Sequence, residues 1–217
     1  MSKTRFEAFS DGVFAFAATL LILGIALPQL QRPVAEADLT LAVVRLWPNL
    51  LAYLLGFSII GVMWQTHHAL FRIVDRVDRM TVFLNLGLLA ITAFIPFATS
   101  TLGAYPTMRT STFMYGITLT LSATMFNALA YHLTRARAFS NAVDAATIKQ
   151  TVRAYRFGWL GYLLAAFVSF ASPIASFALY LLIGLYFFIP RGIDSDLTLS
   201  DTPAPPSSTR RGRKKRP

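Results

Sequence analysis

Three polar side chains at the start of a long apolar run are the residues best suited to chemistry. Arg5, Ser10 and Asp11 precede the run directly. A charge at the mouth of a membrane span costs about 1 to 3 kcal/mol unless another group pairs with it, so such a carboxylate marks an ion path, a proton relay or a polar network. The simpler alternative is an interfacial motif in which Thr4 and Glu7 form a capping box that starts the helix.

A second polar group lies in a later apolar run, where Trp64 and His68 are four residues apart and share one helix face. His67 points about 100° away from them. Adjacent histidines on a helix rarely bind one metal ion, and a zinc site needs three or four convergent ligands, so we expect no metal site. We expect instead a buried histidine that hydrogen-bonds Asp11 or Ser10, with His68 as the histidine of this polar network.

A hydrolytic dyad needs a serine and a histidine, and Ser10 and His68 could supply them. Ser10 lacks a Gly-x-Ser-x-Gly setting, and the sequence shows no oxyanion-hole element. We therefore expect that the protein is not an enzyme. A proton channel or proton-coupled carrier that uses Asp11 and His68 stays open as an alternative, because a protonatable histidine in a polar network confers pH sensitivity.

The composition predicts an integral membrane protein. Of the 217 residues, 55% are hydrophobic and 14% are charged, whereas soluble domains average about 45 to 50% and about 25%. The absence of cysteine excludes disulfides, thiolate metal sites and cysteine nucleophiles. The net charge of +10 comes from bases in loops and in one tail rather than on a binding face, so nucleic acid is not an expected partner.

Six apolar segments are candidate membrane spans. They cover residues 6–28, 46–70, 81–102, 112–133, 156–171 and 174–190. The last two are separated at Ala171-Ser172-Pro173, where the proline cannot continue a helix, and this predicts a tight helical hairpin. A short cytoplasmic helix is expected between Ala136 and Tyr155, because apolar residues recur there at helical spacing.

The distribution of bases predicts the orientation. With the N-terminus inside, only Arg32, Arg45 and Arg109 lie outside, and the other basic residues are cytoplasmic. Both termini are then cytoplasmic, which requires an even number of spans. The chain divides into a six-helix transmembrane domain, residues 1–190, and a disordered basic cytoplasmic tail, residues 191–217, near an anionic leaflet.

The first span has two different faces when its residues are placed at about 100° per residue. Ser10, Asp11 and Phe14 lie on one face. The opposite stripe contains Phe9, Gly12, Phe16, Leu20, Leu23 and Leu27, with Thr19 to one side. This stripe is a candidate ion path, and the alternative is that both faces only pack against helices or lipid.

These residues also carry a family resemblance. Arg5-x-x-x-Phe9-Ser10-Asp11 at the start of the first span resembles the signature of the transmembrane protein 175 family of potassium channels. Trp64-x-x-His67-His68, and Asn85 followed by Ile95-Pro96-Phe97, resemble its bacterial members. The resemblance covers residues 4–190. It implies an all-α membrane protein with six transmembrane helices per subunit, in which the first helix lines the central pore of a homotetramer.

The resemblance also assigns pore positions. It places the hydrophobic constriction at Phe16, the pore threonine at Thr19 and the next apolar ring at Leu23. No Thr-Val-Gly-Tyr-Gly loop is present to form a carbonyl filter. Phe16 stands where a branched aliphatic residue is typical of the family, and four phenyl rings would occlude more of the lumen.

We therefore expect a potassium-selective ion channel of the plasma membrane, with potassium ions and membrane lipids as partners and no cofactor. It is expected to be voltage-insensitive, because no span carries the regularly spaced arginines of a voltage sensor. The expected constriction and selectivity residues are Phe16, Thr19, Leu20, Leu23 and Leu27. The expected signature and polar-network residues are Arg5, Phe9, Ser10, Asp11, Trp64 and His68.

Overall fold

The fold is built almost entirely from helices. The computed structural model describes residues 3–30, 34–140 and 158–188. Helix α1 (Lys3–Leu20) tightens into a 3₁₀ turn (Leu21–Gly24), and the later helices are α2 (Glu36–Val44), α3 (Trp47–Arg72), α4 (Arg79–Ala104), α5 (Arg109–Arg135), α6 (Gly158–Val168) and α7 (Pro173–Phe188). The segments that contain α1, α3, α4 and α5 are long and apolar enough to span a membrane, and α6 and α7 are shorter apolar helices.

Each of the six predicted spans coincides with one of these helices, and α2 is an additional short helix. The predicted hairpin is confirmed, because a turn follows α6 and α7 begins at Pro173. Proline suits the first position of a helix, where a backbone N–H would have no intrahelical partner. Oγ of Ser172 caps α7 by accepting a hydrogen bond from the N–H of Ala175 at 3.2 Å.

The first span differs from its prediction at both ends. Thr4 lies inside α1 rather than at its cap, and the partner of Glu7 is Lys3, at 3.7 Å. The predicted capping box is therefore wrong. At the other end the last turn is 3₁₀ and Ile25 is extended, so Leu27 lies beyond the helix.

Two predicted segments fall mainly outside the described residues. The basic tail after residue 190 lies wholly outside them, as does most of the expected cytoplasmic helix, residues 141–155. The described part of that segment, residues 136–140, is not helical. It forms an isolated β-bridge between Phe139 and Val74, which ties it to the connection between α3 and α4.

α1 packs against α3 and α4 along one of its faces. The buried residues of this face recur at intervals of three or four and continue into the 3₁₀ turn: Phe6, Ser10, Phe14, Ala17 and Leu21. Phe6 belongs to an apolar cluster with Phe71 and Leu133, whereas Phe14 belongs to a second cluster with Ile60 and Ile95. Both ends of α1 are thus anchored in the interior of the bundle.

Glycines permit the closest contacts between helices. A Cβ placed on Gly116 of α5 would clash with the hydroxyl of Tyr180 and would lie 2.7 Å from Cβ of Ala166. Small residues are typical of such contacts, because helices in a membrane associate largely through close van der Waals packing. Gly116 therefore sets how closely α6 and α7 approach α5.

We predict that Gly116→Ala destabilises the protein by about 1 to 3 kcal/mol, the usual cost of overpacking a filled interior. The matched control is Gly61→Ala, because nothing lies within 4 Å of a Cβ at Gly61. There the gain in helix propensity should leave stability unchanged or raise it slightly. Thermal unfolding of the two purified variants in detergent measures the difference, and equal midpoints would contradict the packing argument.

Candidate functional site on the first helix

α1 has two faces with opposite environments. Ser10 and Phe14, on the face toward α3 and α4, are at most 1% exposed, whereas Phe16 and Leu23 on the other face are 66% and 74% exposed. Phe9, Gly12, Thr19 and Leu27 are also exposed, and Leu20 is half-buried. The two faces are separated as the helical wheel predicts, and the apolar stripe is not covered by the described part of its own chain.

The buried face of α1 is held by a chain of hydrogen bonds that crosses three helices. Nδ2 of Asn85 on α4 donates to Oγ of Ser10 at 2.9 Å, and Nε2 of His67 on α3 lies 2.9 Å from Oδ1 of Asn85. Oγ of Ser10 donates to the backbone carbonyl of Phe6 at 3.0 Å. All three polar side chains are fully buried. Each therefore has a partner in an environment where an unpaired polar group is costly.

The direction of each hydrogen bond follows from the number of protons available. The hydroxyl of Ser10 has one proton, which goes to the carbonyl of Phe6, so Ser10 accepts from Asn85. That assignment leaves Oδ1 of Asn85 as an acceptor, and Nε2 of His67 must then carry a proton. The rings of Phe14 and Phe71 lie with centroids 5.4 and 4.6 Å from the imidazole. His67 thus donates from Nε2 within an aromatic enclosure.

A second polar group lies at the edge of the same face. Nε1 of Trp64 donates to Oδ1 of Asp11 at 2.9 Å, which joins α1 to α3 a second time. The indole also stacks on His68, with ring centroids 6.1 Å apart. The structure therefore brings Asp11, Trp64 and His68 together at an exposed position, separate from the buried chain.

The prediction that His68 is the histidine of the buried network is wrong. His68 is exposed and contacts Trp64, whereas the buried histidine that reaches Ser10, through Asn85, is His67. In the structure Ile60, His67 and Phe71 share one buried face of α3, and which face is buried depends on how α1 and α4 pack against α3. Arg5, also expected in the network, is exposed and forms no ion pair with any residue that the structure describes. Asn85 hydrogen-bonds side chains on two neighbouring helices, as a lone amide in an apolar span typically does.

The exposed stripe contains one hydroxyl among apolar side chains. Oγ1 of Thr19 donates to the backbone carbonyl of Phe16 at 2.8 Å. Its proton is used within the helix, and its lone pairs remain available at an exposed position. An oxygen in this state can replace a water molecule around a cation.

The described residues do not bring together the groups considered for a metal site or for the Ser10/His68 dyad. Within those ranges no three or more histidine, aspartate or glutamate side chains are grouped to hold a metal ion. The buried hydroxyl of Ser10 contacts Asn85 and Phe6 rather than His68, so the two members of the hydrolytic dyad do not meet. What the site offers is an anchored helix with an uncovered apolar face.

Comparisons with known proteins assign this arrangement to a family. Residues 5–96 match the family described as endosomal/lysosomal potassium channel TMEM175. A protein named as a potassium channel in Streptomyces collinus is 39% identical over 188 residues, which cover 84% of this chain and 90% of that protein. The chain belongs to the TMEM175 family.

Solved structures show the TMEM175 fold as well. The crystal structure of a lysosomal potassium-selective channel TMEM175 homolog from Chamaesiphon minutus matches with a TM-score of 0.77 at 36% identity, covering 85% of this chain and 95% of that one.

The endosomal/lysosomal proton channel TMEM175 of Homo sapiens is 41% identical over 103 residues, which are 45% of this chain and 20% of that protein. TMEM175 proteins are ion channels, and their names include both potassium and proton channels.

We predict that Asn85→Leu destabilises the protein strongly, because it leaves Ser10 and His67 without their shared partner. The buried Nε2–H of His67 then has no acceptor, which costs about 1 to 3 kcal/mol, while Ser10 keeps its hydrogen bond to the carbonyl of Phe6. The matched control is Thr92→Val on the same helix, because Thr92 is equally buried but donates only to the carbonyl of Leu88 in its own helix. Chemical unfolding in detergent should separate the two variants. An Asn85→Leu variant as stable as Thr92→Val would show that the hydrogen-bond chain does not anchor α1.

Proposed function

We propose that this protein is a potassium-selective, voltage-insensitive channel that assembles as a homotetramer, with α1 of each subunit lining a central pore. The observation that carries the proposal is the exposed stripe of α1, which lies directly opposite a face that α3 and α4 hold in place. Lipid could cover an apolar stripe. The free hydroxyl oxygen of Thr19 within it favours a water-facing pore, where that oxygen has a use.

In this proposal the ring of Phe16 side chains is the hydrophobic constriction. Four apolar side chains at one level can stop conduction by expelling water from the lumen. One turn further along, four Thr19 hydroxyl oxygens replace part of the water around a potassium ion, and sodium is disfavoured because its dehydration is more costly. Leu20, Leu23 and Leu27 complete the proposed lining.

Voltage insensitivity is supported by where the arginines lie. Arg72, Arg79, Arg109 and Arg135 are each the first or last residue of a helix. Regularly spaced arginines within a span would be needed to move charge through the membrane potential. The described spans therefore offer no voltage-sensing helix.

The proposed location is the plasma membrane, with both termini cytoplasmic. Phe6 packs beside Phe71, so α1 begins at the end of the bundle where α3 ends. We call this the basic end, because five exposed arginines lie there: Arg72, Arg76, Arg79, Arg135 and Arg137. An excess of arginine in the connections between spans is typical of the cytoplasmic side.

We predict that Phe16→Ala raises single-channel conductance several-fold, because a methyl group leaves the lumen wider and easier to wet than a phenyl ring. The measurement is planar-bilayer recording of purified protein in symmetric potassium. Phe167→Ala is the matched control, because Phe167 is a similarly exposed phenyl group on α6, outside the proposed pore. Equal conductance of wild type and Phe16→Ala would place the constriction elsewhere.

We predict that Thr19→Val lowers the potassium-to-sodium permeability ratio by at least roughly fivefold, since one lost hydroxyl interaction is worth about 1 kcal/mol. Valine keeps the shape of threonine and removes only the oxygen. Thr19→Ser restores the oxygen and should restore the ratio. Reversal potentials in asymmetric potassium and sodium measure the change, and a ratio that Thr19→Val leaves intact would remove Thr19 from the selectivity mechanism.

Proton conduction is the second candidate function. It is favoured by the names of the vertebrate relatives and by Asp11, which lies half-buried beside Trp64 and near His68. Proton permeation through the pore would make the reversal potential follow an imposed proton gradient. A proton-coupled carrier would instead give a saturable flux that Asp11→Asn abolishes. Ohmic current that ignores the proton gradient would reject both.

A further inference from the structure

The two connections at the basic end are joined to each other. The N–H of Asp75 donates to the carbonyl of Ala138 at 2.8 Å, and the N–H of Ser140 donates to the carbonyl of Ile73 at 2.8 Å. The side chains of Val74 and Ala138 are buried in the same apolar cluster. The connection between α3 and α4 is therefore fixed against the residues that follow α5. Charges carried by both connections share one surface.

That surface has an excess of positive charge. Residues 72–79 and 135–137 contain five arginines and two aspartates, and all seven side chains are exposed. The hydroxyl and N–H of Thr81 both donate to Asp78 at 2.7 Å, and His132 lies 2.9 Å from it. The Thr81 hydrogen bonds lower the pKa of Asp78 to about 2. This carboxylate is therefore engaged by Thr81 and His132, and it forms no ion pair with an arginine that the structure describes.

Two of these arginines have the same arrangement on neighbouring helices. The guanidinium of Arg79, at the start of α4, lies 5.6 Å from the ring centroid of Phe83, and that of Arg135, at the end of α5, lies 5.7 Å from the ring of Tyr131. Each ring is four residues deeper in its span than its arginine, and both rings are nearly 60% exposed. Since α4 and α5 are adjacent and antiparallel, the two pairs lie at the same end of the bundle.

We propose that Arg79 and Arg135, with their rings Phe83 and Tyr131, form a binding site for the headgroup of an anionic phospholipid. A guanidinium matches the oxygens of a phosphate in a two-pronged hydrogen bond. Aromatic rings favour the membrane boundary, where one edge meets the headgroups and the other the acyl chains. Both rings are exposed on the subunit, and they belong to α4 and α5 rather than to α1, whose stripe is proposed to line the pore.

The position of the rings favours a lipid over a soluble phosphate. A soluble anion would contact the guanidinium groups and leave Phe83 and Tyr131 unused. A lipid contacts both the arginines and the rings, because its phosphate meets the arginines while its glycerol and upper acyl chains lie against the rings. Bases close to an anionic membrane surface are individually favourable, so two arginines at one site reinforce each other.

Native mass spectrometry of the purified full chain tests the proposal, with phosphatidylglycerol and phosphatidylcholine of identical acyl chains added to it. Wild type should bind phosphatidylglycerol more tightly. The double variant Arg79→Gln/Arg135→Gln should bind it roughly 10- to 30-fold more weakly, as expected for the loss of two interfacial bases. Binding of phosphatidylcholine should not change.

Arg109→Gln is the matched control. Arg109 also lies over an aromatic ring, 5.4 Å from the centroid of Phe170, but at the opposite end of α5 and away from the joined connections. It should leave phosphatidylglycerol binding unchanged. The proposal is overturned if the double variant binds as wild type does, if Arg109→Gln weakens binding equally, or if soluble glycerol phosphate displaces the lipid. Should the double variant fail to fold, wild-type binding that does not weaken with rising salt would reject the site as well.

Discussion

The hydrogen bond from Asn85 to Ser10 fixes the rotation of α1 about its own axis. A turn of α1 by one residue, about 100°, would carry Ser10 out of reach of α4 and leave Nδ2 of Asn85 without its acceptor in an apolar interior. Apolar contacts of Phe6 and Phe14 are non-directional and would tolerate smaller rotations. The chain of hydrogen bonds therefore sets the orientation of α1, and the apolar contacts supply most of the energy that holds α1 against α3 and α4.

The same constraint decides how the exposed stripe can change. Phe16 and Ser10 lie on opposite faces of one rigid helix, so moving the Phe16 backbone by rotation requires breaking the hydrogen bond from Asn85 to Ser10. Rotation of the phenyl group about its own side-chain bonds leaves that hydrogen bond intact. A side chain that is 66% exposed has room for such a change. The proposed constriction at Phe16 would therefore open with less cost through side-chain rotamers than through movement of α1.

The helices could be predicted from the sequence because the thickness of the bilayer determines their length and single residues determine where one ends and the next begins. Span length follows from membrane thickness, and Pro173 alone separates α6 from α7. The choice between His67 and His68 depends on where α1 and α4 pack against α3, and a helical wheel of one helix cannot contain that information. Thr4 and Glu7 failed as a capping box for a related reason, since the spacing of a motif does not fix where a helix begins.

The end of α1 shows what the change to a 3₁₀ turn does to the stripe. In a regular α-helix Leu23 would point about 20° from Phe16, measured around the helix axis. The 3₁₀ turn instead advances by about 120° for each of the three residues after Leu20, so that Leu23 points about 40° from Phe16 on the other side. Leu23 stays on the exposed face in both cases. Leu27 follows an extended residue, so helical geometry does not place it. Ala26 and Pro28, in this non-helical segment, line a cavity of about 620 Å³ together with residues of α2 and α3 such as Asp38 and Asn49. The helical part of the proposed lining therefore ends near Leu23, and Leu27 lies in the non-helical segment beyond it.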